Sequence, residues 1–239
     1  MKFSQFLIGA VAAAASSAAL AVAAPTLLSE GFDDISTLSA SGWSLVNLSA
    51  PAGTTDWFQG NPGVFGAASG APDSYIGANF ENAAEGGVIS NWLITPQLTL
   101  GSGMQLQFMV RAAGDDWSDT IEVRWSAKGA STDVGSTAAS VGDFTQLLYT
   151  FDSHGADAGW LAKSVALPSG SGRIAFRYTI ADTWLAGNYV GIDTVAVVPE
   201  PASAAFMVLG LGAIGLAARR RRAAQRSPRV IDQDAAVAL

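Results

Sequence analysis

The chain has 239 residues, of which 20 are acidic and 13 basic, with one histidine and no cysteine. This excludes disulfides, thiolate-held zinc or iron–sulfur sites, and any metal centre built on several histidines. Residues 24–198 hold 17 acidic and only six basic side chains, a net of −11, and a body this acidic argues against nucleic acid as a partner.

In chain order, Lys2 and the alanine-rich apolar stretch 6–20 are followed by Ala21-Val22-Ala23. A positive start, an apolar core and an A-x-A site predict an exported protein whose signal helix, 1–23, is removed. The alternative is a resident N-terminal helix. A body of one domain's length follows, 24–198, enough to bury a sizeable core.

The body reads as short strands between glycine-, serine- and asparagine-rich turns. Met104, Leu106, Phe108 and Val110 alternate with Gln105, Gln107 and Arg111. Ile121, Val123 and Trp125 alternate with Thr120, Glu122 and Arg124. Ile174, Phe176, Tyr178 and Ile180 alternate with Arg173, Arg177 and Thr179. Period two marks a sheet with one buried face. Further strands are expected at 27–32, 43–47, 75–80, 88–93, 144–151, 161–167 and 189–197. No long helical period and no internal repeat occur in the body. The class is therefore all-β, a sandwich of two antiparallel sheets. Two connections are long: 51–74, rich in glycine and proline, and 129–143, small, polar and expected to be loose. Such loops carry function or cover sheet ends.

After the body comes Val198-Pro199-Glu200-Pro201, then the uncharged run 202–218, then Arg219, Arg220, Arg221 and Arg222. Proline cannot donate to a ladder, so it stops a strand. Seventeen residues as a helix span about 26 Å, just short of a hydrocarbon core of roughly 30 Å. Arginines hold the following end on the cytoplasmic side, which leaves 223–239 as a short cytoplasmic tail. This order resembles the PEP-CTERM sorting signal of Gram-negative bacteria. The resemblance implies processing by an exosortase within 199–222, transient anchoring by a C-terminal transmembrane helix, and residence in an extracellular polysaccharide matrix. A plain anchor is the alternative.

The body has its own resemblance. Glu30-Gly31-Phe32-Asp33-Asp34 opens it, and a tryptophan strand at Trp43 follows. Asn91-Trp92-Leu93-Ile94-Thr95-Pro96 and Asp119-Thr120-Ile121-Glu122-Val123 come next. Ile174-Ala175-Phe176-Arg177-Tyr178 and Val190-Gly191-Ile192-Asp193-Thr194-Val195 close it. This order resembles the choice-of-anchor J domain, which is similar to cleaved-adhesin and MAM-like jelly rolls. The resemblance implies a jelly-roll topology and a structural calcium ion between the first and last strands. Glu30, Asp33 and Asp193 are its expected ligands, with Asp34 as a substitute.

Other residues carry weaker chemistry. Asp193 lies on a strand apolar on both faces and so needs a partner: calcium, an arginine or turn amides. Asp115, Asp116 and Asp119 precede a strand and could serve glycoside hydrolysis, although Glu122 stands alone on its strand and a solvated cluster is the simpler expectation. His154 lies in a turn without a nucleophile elbow. Trp57, Trp117, Trp160 and Trp184 lie in or beside loops and could stack on sugar faces or simply pack; Trp43, Trp92 and Trp125 read as core. The reading is an exported, non-catalytic binding or structural protein, with exopolysaccharide as first partner. An adhesin-like module binding protein ligands is the alternative, and a glycoside hydrolase the third.

Overall fold

The computed structural model describes residues 26–114, 117–156, 159–200 and Arg219. The helices expected at 1–23 and 202–218 lie outside them. Among the described residues no helix is long and apolar enough to cross a membrane.

The strands are β1 (Leu28–Glu30), β2 (Ser44–Asn47), β3 (Ala50–Ala52), β4 (Phe58–Gln59), β5 (Ile76–Asn79), β6 (Ala83–Ile94) and β7 (Leu98–Leu100). They continue as β8 (Met104–Ala112), β9 (Thr120–Ser126), β10 (Gln146–Asp152), β11 (Leu161–Leu167), β12 (Gly170–Ile180) and β13 (Tyr189–Pro199). Every expected strand overlaps one of these; β3, β4 and β7 are additional and too short to show a period. One sheet runs β11-β8-β13-β5-β4, with β1 continuing the β5 edge of β13. The other runs β10-β9-β12-β6-β2, with β3 beside β6 and β7 beside β12. All pairings are antiparallel. β13 ends at Pro199, where the missing N–H closes the ladder.

The alternating side chains meet between the sheets. Leu106, Phe108 and Val110 face Ile121, Val123, Ile174, Phe176 and Tyr178, all buried in one cluster. The Phe108 and Phe176 rings meet edge to face at 5.1 Å, a favoured aromatic geometry.

Part of each face turned away from this core is covered as well. Residues 60–75 fold over the outer side of β13 and β5, where Phe65, Tyr75 and Tyr189 form a separate cluster with Phe58, Ala67 and Trp160 packed on it. Phe65 stacks on Tyr75 at 5.2 Å, and the Arg111 guanidinium lies 4.5 Å from the Phe65 ring centre. Gly191 makes room for this layer: a Cβ there would stand 2.9 to 3.0 Å from Tyr75, Phe65 and Trp160.

On the second sheet, 127–145 covers β6 and β12. Val134 and Phe144 pack on Trp92, Ile94 and Ala175. Arg177 fastens this loop. Its guanidinium sits 5.1 Å from the Trp92 ring centre and donates to Ala138 O, Ser90 Oγ and Glu122 Oε2. The segment expected to be loose is therefore packed, because Val134 and Ala138 are buried beneath its polar surface.

Gly191→Ala forces the aromatic layer off β13. We expect it to lower the unfolding free energy by about 1–3 kcal/mol in urea titration; a change within about 0.5 kcal/mol, the range of ordinary surface substitutions, contradicts this packing.

Candidate functional site

The outer face of β8 and β11 stays open, with a hollow of about 460 Å³ beside Gln107, Met109, Ala162 and Ser164, whereas aromatic-lined concave surface gathers at one end of the sandwich. The β5–β6 turn, the β8–β9 loop and the β12–β13 loop meet there. A cleft of about 550 Å³ is lined by Phe80, Trp117 and Trp184, with Glu81, Glu85, Thr54 and Thr183 among its polar groups. Its aromatic side chains are open to solvent: Trp184 is 66% exposed, Trp117 47% and Phe80 47%. Phe80 continues the inward phase of Ile76 and Ala78, but a 3₁₀ turn over Phe80–Asn82 swings it outward. Smaller hollows of about 280 Å³ and 270 Å³ share Phe80 and reach Asn188 and Tyr189. The concavity is thus a groove rather than a closed hole.

The loops are stitched together. Trp184 lies on the backbone of Gly86, where a Cβ would stand 3.2 Å from the indole; Gly86 itself has φ of +70°. Thr183 N–H donates to Gly87 O, and Thr183 Oγ1 to Ala84 O. Gly187 N–H donates to Ser118 O at 2.9 Å, and Phe80 N–H to Asn188 O at 3.0 Å.

Asp119 is the hub beneath them. Expected in a solvated cluster, it is fully buried. Its Oδ1 accepts from Tyr178 Oη at 2.7 Å and Asn188 N at 2.8 Å, and its backbone exchanges bonds with Ser153. Oδ2 has no partner among the described residues. Burial pushes its carboxyl up to about 6, against the pull of the Asn188 and Tyr178 bonds. Sealed from the cleft, it positions loops rather than touching a ligand. Asp115 and Asp116 lie outside the described residues.

The remaining candidates disperse. Trp57 is only 5% exposed and belongs to the central core. Trp160 packs on Phe65 and Tyr75 and donates Nε1–H to Gly66 O at 2.8 Å. Of the four loop tryptophans, Trp117 and Trp184 alone share a cleft. Glu122 is spent on Arg124 at 2.7 Å and Arg177 at 3.1 Å. His154 is exposed, with its N–H donating to Asp152 Oδ1. Phe80, Glu81, Glu85 and Thr183 carried no sequence signal beyond strand-end and turn positions.

The expected calcium ligands lie near the covering loop. Asp193 is fully buried on the outer side of β13. Its Oδ2 accepts from Ala68 N at 2.8 Å and Ser69 N at 3.1 Å, and its Oδ1 from Thr194 N. Burial raises its pKa, and the nearby Asp33 charge adds to the rise. Glu30 Oε1 accepts from Phe32 N at 2.8 Å, and Asp34 accepts from Ser36 N–H and Oγ–H. Phe32 and Thr194 both have positive φ, 54° and 48°, strained for residues with side chains. Among the described residues no three of His, Asp and Glu come together as a metal-holding group.

Comparison with known proteins adds two findings. Residues 197–222 match the PEP-CTERM protein-sorting motif. The chain carries a PEP-CTERM sorting signal. That signal implies export, exosortase processing and anchoring at the cell envelope through the C-terminus. The body is similar in fold to the K3 cleaved adhesin domain of Lys-gingipain from Porphyromonas gingivalis, with a TM-score of 0.51, 22% identity and coverage of 73% of this chain and 99% of that one. The K1 domain of the same protein gives 0.50, 25%, 73% and 98%. The curated proteins include no match.

Asp119 yields a pH test. Its folded pKa lies above the ordinary 3.8, so its stabilising share is full below 3.8 and is lost as pH rises through about 6. Tyr178 Oη and the Asn188 and Tyr189 N–H groups face it. Relative to Asp119→Asn, the native chain should lose stability across that window, by about 3 kcal/mol at most. Parallel denaturation curves of the two chains from pH 4 to 7 contradict the assignment.

Proposed function

We propose that this protein is a non-catalytic glycan-binding module of the cell envelope, and that the Phe80–Trp117–Trp184 cleft is its binding site. One observation carries the reading: two exposed indoles and a phenyl ring converge on an open groove whose rim supplies carboxylates and hydroxyls. Aromatic faces stack on the apolar faces of sugars, while rim oxygens accept hydroxyl protons. A Gram-negative exopolysaccharide matrix is the setting we propose, and a choice-of-anchor J body is the family we propose.

An adhesin-like protein partner is the second reading. Leu185, 76% exposed beside Trp184, favours it, since large exposed apolar side chains often mark protein contacts.

Glycan arrays and titration calorimetry separate the two. Trp184→Ala and Trp117→Ala should each weaken glycan binding by about 1–3 kcal/mol, the range for loss of one stacking ring, with thermal stability kept. Trp57→Ala should instead cost about 3–5 kcal/mol of folding stability. Glycan binding unchanged in both cleft variants, or binding to proteins alone, overturns the site.

We also propose that calcium braces β1 against β13. Asp33 adds like charge to buried Asp193, and neither forms an ion pair among the described residues. Both fit a hard cation, whose remaining ligands would be backbone carbonyls and water, since no third carboxylate joins them among the described residues. Calcium should then raise the melting temperature, a chelator should reverse this, and Asp193→Asn should abolish the response. A melting temperature indifferent to both contradicts the proposal.

A further inference from the structure

We infer that the cleft selects glycans built from amino sugars with free ammonium groups, rather than neutral or acidic polymers. The inference rests on the glycan reading above and narrows its ligand.

The argument begins with charge. The cleft is lined by two carboxylates, Glu81 and Glu85, and by no basic side chain. Neither carboxylate takes part in an ion pair among the described residues. Glu81 accepts from Asn79 Nδ2 at 3.2 Å. Asp182, whose carboxylate accepts from the Trp184 backbone N–H at 2.8 Å, adds a third negative charge two residues before that indole.

The body's cations are committed elsewhere. Arg111 lies over Phe65 and Lys163 over Phe151. Arg124 and Arg177 hold Glu122. Arg173 donates to the carbonyls of Gly42, Thr95 and Ala130. Lys128 follows the far end of β9, whereas Trp117 precedes its near end; seven residues of strand separate those ends by about 20 Å. No described lining group could neutralise a uronate or a sulfate.

The aromatic groups point the same way. An indole face is a good seat for a cation, and it also stacks on a pyranose ring. A glucosamine unit presents both features, an apolar ring face and an ammonium at its edge. Indoles flanked by carboxylates meet the two at once. A neutral sugar uses only the stacking, and an acidic sugar is repelled by Glu81 and Glu85.

Calorimetry on the full chain in mild detergent tests this with three probes: a β-1,4-linked glucosamine hexamer, its fully N-acetylated counterpart and a β-1,4-linked glucose hexamer. At low salt the free-amine hexamer should bind about tenfold more tightly than either of the others, the gain expected from two exposed charge pairs. Rising salt should shrink that advantage. The double change Glu81→Gln and Glu85→Gln should bring the glucosamine hexamer down to the level of the acetylated one. Trp184→Ala should weaken all three. Equal affinity for the three sugars overturns the ammonium preference and leaves the glycan reading standing. No binding of any, by a chain with native near-UV dichroism, overturns both.

Discussion

Asp193 is a full carboxylate on the outward side of β13, and no solvent reaches it. An isolated ion in that position would be expensive, so it has to be met by donors or be neutralised. The donors come from Ala68, Ser69 and Thr194. Two of these belong to a loop more than a hundred residues away in sequence. Satisfying one strand charge therefore fixes the path of 60–75 across the sheet and seals Phe65, Tyr75 and Tyr189 beneath it. Arg177 plays the matching part on the other sheet, where Ala138 O, Ser90 and Glu122 share its donors. A sandwich that might have presented two open faces presents loops over part of each.

This arrangement explains where recognition can happen. Sheet faces are ordinary places for extended ligands to lie, but here the chain itself occupies the outer side of β13 and β5 and of β6 and β12, leaving the β8–β11 side open. The aromatic-lined concavity is at the end where Asp119 ties the β8–β9 loop to Asn188 of the β12–β13 loop and to Tyr178 of β12. Loops held in this way present side chains on a rigid base, which lowers the ordering cost of binding. On the glycan reading proposed above, the exposed indoles of Trp117 and Trp184 are the contact groups. The sorting signal at 197–222 begins within β13 (Tyr189–Pro199), so the anchor leaves the body directly from a central strand.

Much of the fold was legible in the residues. The alternation in β8, β9 and β12 placed their inward side chains correctly, because burial on one side of a pleat imposes period two. The outward side was misread wherever a second layer covers it. Arg177 looks like a solvent-facing polar residue, yet it is buried. Its partners lie across the sheet or in a remote loop, and spacing along a chain carries no trace of them. Asp119 failed for the same reason: Asp115 and Asp116 shortly before it suggest a charged cluster, but its neighbours in space are Tyr178 and Asn188. The four loop tryptophans looked alike, and only tertiary packing separates Trp57 and Trp160 from Trp117 and Trp184. Gly191 did leave a usable sign, since glycine in a central strand marks a close approach.

Amide hydrogen exchange in the native state tests the covering loops most directly, because it reads out whether their backbone is held. If both loops are folded layers, the Ala68 and Ser69 amides that meet Asp193, and the Phe144 amide bonded to Val141 O, should exchange nearly as slowly as the central strands. Exchange of those amides at the rate of an unstructured chain, with β8 and β12 still protected, would mean that the sheet faces are open and that the cleft has no special claim to the ligand.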